Sequence, residues 1–312
     1  MTITLNPANV TTGSGTSASF SADATGTPTP SVAWWYSIDG GTSYMLANVG
    51  TSTSFTLPSV TTADSGWRFE AVFTNSTGSA TSTSALLTVN AVSVVSSYNW
   101  AGYVTTAGPY THASGTFVVP TAQCTSATTY SSTWVGIDGY GSSTVEQDGF
   151  ASMCSNGVAS YNAWYEMYGD TSVQCNCYAE VPLGSAYPVV PGDVITASVD
   201  YANSNWTLAL VDATRGWNFS IVIATYSPAP AQVSAEWILE QPSMCTTSTC
   251  TNSTLATLTP QGTTYFSNIT ASAGSTGGIS NFPYAVVSMV GSAGTIASPG
   301  PLSSNGTAFD IP

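Results

Sequence analysis

Short segments of alternating apolar and polar residues recur along this 312-residue chain, and turns rich in Gly, Ser, Asn and Asp separate them. Successive side chains of a β-strand point to opposite faces, so an alternation with a period of two predicts strands. After residue 98 no convincing stretch has the 3.6-residue period of an amphipathic helix. The pattern therefore predicts an all-β protein in which sheets pack face to face.

Residues 1–91 have the pattern of one small β-sandwich. A strand-like SVAWWYSI, which carries Trp34 and Trp35, precedes an Asp-Gly-Gly turn. Further along, Asp64-Ser-Gly66 and an aromatic residue lead into two strands joined by a turn. This order, with a Trp on an earlier strand, is typical of immunoglobulin-like domains. The segment contains no cysteine, so we predict an immunoglobulin-like domain that lacks the disulfide of antibody domains.

Residues 92–312 form the second predicted domain, a larger β-sandwich. Three of its strand-like segments carry carboxylates and aromatic rings on one face and mainly apolar side chains on the other. The first face carries Trp134, Asp138, Trp164, Glu166, Tyr168, Glu236 and Glu240. The apolar face can pack on a second sheet, whereas large rings beside acids are typical of the floor of a binding groove. The alternative is an ordinary outer face with incidental aromatic residues.

The chain has almost no basic residues, which restricts its partners and its chemistry. It contains no lysine, two arginines (Arg68 and Arg215) and one histidine (His112) against 16 acidic residues, which gives a net charge of −14. We expect no nucleic-acid partner, because neutralising phosphates requires clustered Lys or Arg. A chain with so few bases also has little charge repulsion to unfold it in acid.

The polar surface must come from Ser, Thr, Asn and Gly, because only 6% of the residues are charged while 43% are hydrophobic. Such a surface is common in secreted all-β proteins, so we expect a secreted, extracellular protein. No apolar run approaches the ~18 residues of a transmembrane helix. We therefore expect no membrane span.

Six cysteines, all after residue 123, predict disulfides, because an even count is typical of the disulfide framework of a secreted chain. Cys245 and Cys250 are spaced for a local disulfide. The pairing of the others stays open: Cys124, Cys154, Cys175 and Cys177. A Cys-x-Cys spacing and a single histidine do not match a zinc site, so we expect no metal and no other cofactor.

The candidate chemistry follows from the side chains that are present. A Ser-His-Asp triad would have to use His112, and no Gly-x-Ser-x-Gly elbow accompanies it. We therefore assign no catalysis to His112, nor to Arg68 or Arg215. A hydrolase with paired carboxylates fits better. It would act either on glycosidic bonds or on peptide bonds through a carboxylate-activated water.

Five segments together resemble the glutamic peptidases, or eqolisins, and occur in the order of that family. They are Asn99-Trp-Ala-Gly102, Gly115-Thr-Phe-Val-Val-Pro120, Trp134-Val-Gly-Ile-Asp-Gly139, Asn162-Ala-Trp-Tyr-Glu-Met-Tyr168 and Ala235-Glu-Trp-Ile-Leu-Glu240. The resemblance runs from about residue 96 to at least residue 245. It implies a secreted, acid-acting endopeptidase on an antiparallel two-sheet β-sandwich of the concanavalin or jelly-roll type.

The resemblance also implies a Gln/Glu dyad. Gln147, in the segment Val-Glu-Gln-Asp-Gly, matches the family's glutamine, and Glu240 matches its glutamate. As the implied mechanism, Glu240 takes a proton from water and later delivers one to the leaving nitrogen, while Gln147 holds the water and donates to the oxyanion. A carboxylate base with a pKa near the usual ~4.3 predicts an acid optimum.

Other residues fall on or near family positions that line the cleft. We take as candidate substrate-binding residues Trp134, Asp138, Glu166, Tyr168, Asn99, Trp100 and Glu236. Cys245 and Cys250 fall where the family has a local disulfide. The chain departs from the family at Asp148, Met167 and Gly169, and these departures affect the expected substrate subsites more than the dyad.

The expected partners are protein or peptide substrates bound by a monomer. The N-terminal domain lies outside the resemblance, and we expect it to space the catalytic domain or tether it to a cell surface or polymer. Two alternatives stay open at this point. One is a β-sandwich that binds or hydrolyses glycans with its acids and rings, and the other is an inactive adhesive surface protein.

Overall fold

The structure, a computed structural model, describes residues 1–169, 180–227, 229–245, 253–303 and 305–312. These residues form β-strands and short 3-10 turns at Thr62–Asp64 and Ile279–Asn281, with no α-helix among them. The predicted all-β class is confirmed. None of the helical turns in the described ranges has the length and hydropathy needed to cross a membrane. The chain forms two compact units, Met1–Val92 and Ser93–Pro312.

The first unit is an immunoglobulin-like sandwich. Its strands are β1 (Thr2–Leu5), β2 (Val10–Gly13), β3 (Ala18–Ser21), β4 (Asp23–Thr25), β5 (Ser31–Ser37), β6 (Met45–Gly50), β7 (Ser54–Leu57), β8 (Arg68–Asn75), β9 (Gly78–Thr81) and β10 (Ala85–Asn90). The main sheet has the order β2-β10-β8-β5-β6, and β3 pairs with β7. Trp34 of β5 is buried with Phe20, Phe69 and Phe73 in the core. One of the two tryptophans that the sequence places on this strand thus forms part of the core.

The second unit consists of two large antiparallel sheets and a small strand pair. Its strands are β11 (Val92–Ser97), β12 (Trp100–Thr105), β13 (His112–Val118), β14 (Thr129–Ile137), β15 (Val145–Ser155), β16 (Val158–Tyr168), β17 (Val181–Pro182), β18 (Val194–Ala202), β19 (Asn205–Asp212), β20 (Trp217–Ala224), β21 (Ala235–Glu240), β22 (Ser243–Cys245), β23 (Ser253–Leu255), β24 (Thr264–Ala273), β25 (Ser275–Gly277), β26 (Tyr284–Gly291), β27 (Gly294–Ala297) and β28 (Phe309–Ile311).

Two sheets of this unit define its architecture. The first, which we call the cleft sheet, has the order β11-β26-β12-β21-β14-β15-β16-β17, with β27 added to β26. The second, which we call the back sheet, has the order β20-β19-β18-β13-β24-β25, with β28 added to β24. The strand pair is β22 with β23. The cleft sheet contains all three segments on which the sequence predicts carboxylates beside rings.

The apolar face of the cleft sheet packs on the back sheet and forms the core. Trp237 of β21 is fully buried, and its indole Nε1 donates to the backbone oxygen of Ser114 on β13 at 2.8 Å. Phe150 of β15 and Phe117 of β13 lie with their ring centroids 5.2 Å apart. Burying such large rings is the main source of stabilisation between packed sheets. The opposite face of the cleft sheet is thereby left for other contacts.

Strand register brings the polar residues of that opposite face together. Ser132 pairs with Glu240 across β14 and β21, Gly136 pairs with Gln147 across β14 and β15, and Gln147 pairs with Glu166 across β15 and β16. Paired residues in an antiparallel sheet point to the same side. The last pairing depends on a tight hairpin, because the Asn-Gly turn between β15 and β16 has a positive φ at both positions, as a type I′ turn requires.

One disulfide lies within the described residues. Cys124 and Cys154 are bonded, with their Cα atoms 5.3 Å apart, and join the segment before β14 to the end of β15. The candidates Cys175, Cys177 and Cys250 lie outside the described residues. The predicted pair of Cys245 with Cys250 therefore stays a prediction.

Candidate active site

A cleft of about 690 Å³ lies over the polar face of the cleft sheet. Its walls come from β14 to β17, from the end of β21, from the strand pair and from the segment before β12. The lining includes Asn99, Trp100, Ser132, Gln147, Trp164, Glu166, Tyr168, Glu180 and Glu240. The two predicted dyad residues and most of the predicted substrate-binding residues thus share one cavity, although they are up to 141 positions apart in the chain.

Gln147 is nearly buried in the floor of this cleft, with 6% of its surface exposed. Its amide Nε2 donates to Glu166 Oε2 at 2.7 Å. Its Oε1 is buried without a hydrogen-bond partner among the described residues. An amide has two donor hydrogens and an acceptor oxygen. Gln147 therefore lines the cleft with its oxygen and one of its two amide hydrogens unpaired among the described residues.

Glu240 is half-buried at the end of β21 and is held by two donors. Trp134 Nε1 donates to its Oε2 at 2.9 Å, and Asn99 Nδ2 donates to its Oε1 at 3.3 Å. Burial raises the pKa of Glu240 to about 7, the donors oppose this rise, and the nearby carboxyl of Glu180 adds to it. The unperturbed pKa assumed from the sequence therefore does not apply to this side chain.

Glu166 is the second carboxyl of the cleft floor. It is 8% exposed, and burial raises its pKa to about 8, with further contributions from Glu180 and Glu240. The hydrogen bond from Gln147 opposes the rise. Carboxyls this close cannot all be ionised at once, because like charges disfavour each other. The cleft therefore retains protons well into the neutral range.

Glu180 is a cleft residue that sequence reasoning missed. It immediately precedes β17, and its Oε1 accepts a hydrogen bond from Ser132 Oγ at 2.5 Å. Burial raises the pKa of Glu180, and the bond from Ser132 opposes this. A two-residue strand has too short an alternation to place a side chain on a face. The sequence therefore held no signal that would have singled out this residue.

The structure does not place Trp134, Asp138 or Glu236 among the residues that line the cleft, and the substrate-binding role predicted for them does not fit their positions. All three are fully buried, and Trp134 contributes to the site through its hydrogen bond to Glu240. Asp138 follows the end of β14 with a φ of 67°, and its carboxylate accepts the backbone N–H groups of Gln232 and Val233 at 2.6 and 2.8 Å. Glu236 accepts the backbone N–H of Tyr140 at 3.0 Å. These carboxyls therefore anchor loops at one end of the cleft sheet.

Basic side chains lie elsewhere. His112 is on the back sheet, where its Nδ1 lies 2.7 Å from Asp200 Oδ1. Arg215 pairs with Asp193 at 2.7 Å. None of the described residues that line the cleft is Lys, Arg or His. Within the described ranges, no group of three or more His, Cys, Asp or Glu side chains is placed to hold a metal ion.

Comparisons with known proteins give a family match for each unit. The model of the Peptidase A4 family matches residues 98–306, and that of the immunoglobulin I-set domain matches residues 1–89. No curated protein sequence matches the chain.

Solved structures show the same fold in the second unit. A scytalido-glutamic peptidase with a peptide-based transition state analogue is 20% identical with a TM-score of 0.58, and the match covers 69% of this chain and 97% of that one. SCP-B, a member of the eqolisin family in a complex with the tripeptide Ala-Ile-His, is 20% identical with a TM-score of 0.56 and the same coverage.

Proposed function

The chain belongs to the Peptidase A4 family, and from this premise we propose that Gln147 and Glu240 form the dyad with which it hydrolyses peptide bonds. One observation carries the proposal. Gln147 and Glu240 line the same cleft, and the Oε1 of Gln147 has no hydrogen-bond partner among the described residues. Membership of this family favours a peptide over a glycan as the substrate. We therefore assign the acids and aromatic rings of the cleft to the binding and hydrolysis of a peptide.

The proposed reaction uses one water molecule. The ionised carboxylate of Glu240 takes a proton from the water as its oxygen attacks the carbonyl carbon of the substrate. The carbonyl π bond opens, and the negative charge moves to the carbonyl oxygen. The free N–H of Gln147 stabilises this oxyanion. Glu240 then gives the proton to the leaving nitrogen, the C–N bond breaks, and the products are an acid and an amine.

The neighbours of the dyad fit positioning roles. Trp134 and Asn99 donate to Glu240 and thereby favour its ionised form. Glu166 accepts one amide hydrogen of Gln147 and so fixes the plane of that amide. A preorganised donor costs no reorganisation as charge develops on the substrate oxygen. Trp100 and Tyr168 line the cleft and are proposed to contact the substrate.

Acid action and secretion are part of the proposal. With a pKa of about 7, the ionised fraction of Glu240 falls about tenfold for each pH unit below that value. Buried carboxyls stabilise the fold most in acid, where they keep their protons. The two trends oppose each other and place the working range on the acid side of neutrality. The Cys124–Cys154 disulfide suits an oxidising, extracellular compartment.

The first unit is proposed to have no part in the chemistry. All cleft-lining residues belong to the second unit. The proposed role of this immunoglobulin-like unit is to space the catalytic unit or to tether it to a cell surface or polymer. The protein is also proposed to act as a monomer.

Substitution of the dyad tests the proposal directly. Glu240→Gln and Gln147→Ala should each lower kcat/KM for an unfolded protein substrate, by about 1,000-fold for the base and about 100-fold for the oxyanion donor. Glu70→Gln, in the first unit, and Gln123→Ala, at an exposed position, are matched controls. The measurement is peptide release between about pH 3 and pH 6. A Glu240→Gln variant with more than about a tenth of the wild-type rate would rule out this dyad.

A further inference from the structure

Glu180 occupies a position in the cleft that the dyad chemistry does not use. Ser132, whose hydroxyl donates to Glu180, pairs across β14 and β21 with Glu240. The carboxyl of Glu180 is close enough to interact electrostatically with both Glu240 and Glu166. A substrate residue beside the scissile bond would therefore lie next to Glu180.

The charges around Glu180 make this position suited to a cation. The ionisable groups that face it are Glu166 from β16 and Glu240 from β21, and the cleft also contains the phenols of Tyr130 and Tyr168. No described lining residue supplies a positive charge to balance these carboxyls when they ionise. The ammonium or guanidinium group of a substrate would supply this positive charge, and no basic side chain of the described lining would compete with it for the carboxyls.

The unpaired oxygen of Gln147 is a second feature that points to a ligand in this part of the cleft. Gln147 is more than nine-tenths buried, its Oε1 has no partner among the described residues, and it lines the same cavity as Glu180. Buried polar atoms are normally satisfied, so an unpaired acceptor on a residue that lines a cavity indicates that a bound molecule can contribute a donor there. The substrate backbone and the catalytic water can satisfy Gln147, which places a flanking side chain near Glu180.

We infer that Glu180 is a specificity-determining residue that binds a Lys or Arg side chain next to the cleaved bond. This inference rests on the proposed peptidase function. Its chemistry is a charge-assisted hydrogen bond from the substrate cation to the carboxylate, with Ser132 holding the carboxylate in place. Because Glu180 binds a proton more tightly than an exposed glutamate does, the preference grows as the pH rises and Glu180 ionises.

The test compares two peptides that differ only by Arg or citrulline at one position beside the cleaved bond. Citrulline has nearly the shape of Arg but no charge. For the wild-type protein, the ratio of kcat/KM for the Arg peptide to that for the citrulline peptide should be about 1 near pH 3 and should rise, by up to about tenfold, as the pH is raised to about 8. Glu180→Gln should hold the ratio near 1 at every pH. The carboxyl control Asp310→Asn, on β28 of the back sheet, should behave as the wild type.

A charge reversal separates recognition from folding. Glu180→Lys should prefer a peptide with Glu over one with Gln at the same position, a gain that a misfolded protein cannot produce. The inference is overturned if the Arg/citrulline ratio rises equally in the wild type and Glu180→Gln, or stays near 1 in the wild type. If the wild type cleaves neither peptide at any pH, the peptidase proposal fails and this inference fails with it.

Discussion

Glu240 is subject to two opposing influences at the scale of one residue. Burial and the neighbouring carboxyl of Glu180 favour its neutral form, whereas the indole N–H of Trp134 and the amide of Asn99 favour the charged form. The balance leaves the pKa at about 7. Burial is therefore the largest influence on its base strength, and the donors limit the rise.

Trp134→Phe tests this balance, because it keeps an aromatic ring and removes the donor 2.9 Å from Glu240. Loss of the donor should raise the pKa of Glu240 further. A hydrogen bond to a charged group contributes about 1.5–3 kcal/mol, so kcat/KM in the acid range should fall at least about tenfold and its pH profile should move upward.

Trp206→Phe is the matched control. Trp206 is buried on β19 of the back sheet, and its Nε1 has no partner among the described residues. The Trp206→Phe substitution should lower stability modestly and leave the pH profile of kcat/KM unchanged. An unchanged profile in Trp134→Phe would contradict the assigned role of the indole.

The two dyad candidates also show which properties of the site the sequence can predict and which it cannot. The resemblance to the glutamic peptidases identified Gln147 and Glu240 as candidates, and both line one cleft in the structure. The sequence could not give the pKa of Glu240, because that value depends on Glu180, Trp134 and Asn99, which lie far from it in the chain. Such pairings arise only when the strands assemble.

At the scale of strands, β14 and β15 approach each other closely enough to exclude a side chain at Gly149. A Cβ on Gly149 would lie 2.1 Å from the backbone oxygen of Thr133 and 2.8 Å from the Cα of Trp134. No real Cβ sits that close to backbone, so the strands would have to move apart. The same strands carry Trp134 and Gln147, so their spacing sets the geometry of the cleft floor.

Gly149→Ala should therefore destabilise the second unit by about 1–3 kcal/mol and lower activity. Gly262→Ala is the control, because a Cβ at Gly262 would meet no atom within 4 Å. The measurement is the thermal unfolding midpoint together with kcat/KM. Equal midpoints for the two variants would show that the strands tolerate the extra carbon.

Alternation along strands predicted shared faces well and strand ends poorly. Glu166 and Tyr168 of β16 do line the cleft with Glu240. Asp138, two positions beyond Gly136, does not, because β14 ends at Ile137 and the positive φ of Asp138 turns the chain away. A period of two carries no information about where a strand stops, so the error at Asp138 lies in the boundary. Glu236 lies within β21 but is fully buried and does not line the cleft, because alternation does not show how deeply a side chain is covered.

At the scale of the whole molecule, the protein combines a shortage of bases with carboxyls inside the second unit. Glu146 and Asp148 on β15 are fully buried, as are Asp138 and Glu236. Burial raises the pKa of each of them. Composition predicted resistance to acid from the lack of bases, but it could not show that acids would be buried, since charged residues are rarely placed in a core.

Raised pKa values make the stability of this unit depend on pH in a definite direction. A carboxyl with a higher pKa in the folded state than in the unfolded state binds its proton more tightly when folded. Its contribution is therefore fully present below the unfolded pKa of about 4 and is lost as the pH rises toward the folded value. Each such group removes about 1.4 kcal/mol per pH unit across that interval.

We therefore expect the free energy of unfolding of the second unit to fall between pH 4 and pH 7. Hydrogen exchange of amides in β14, β15 and β16, corrected for the intrinsic effect of pH, reports this for the second unit alone. Asp148→Asn cannot ionise and should make the fall shallower by up to about 1.4 kcal/mol per pH unit, whereas Asp310→Asn, half-buried on β28, should leave it unchanged. Protection that stays constant or increases from pH 4 to pH 7 would mean that these carboxyls are accommodated as anions, and the proposed acid preference would then have to arise in the cleft alone.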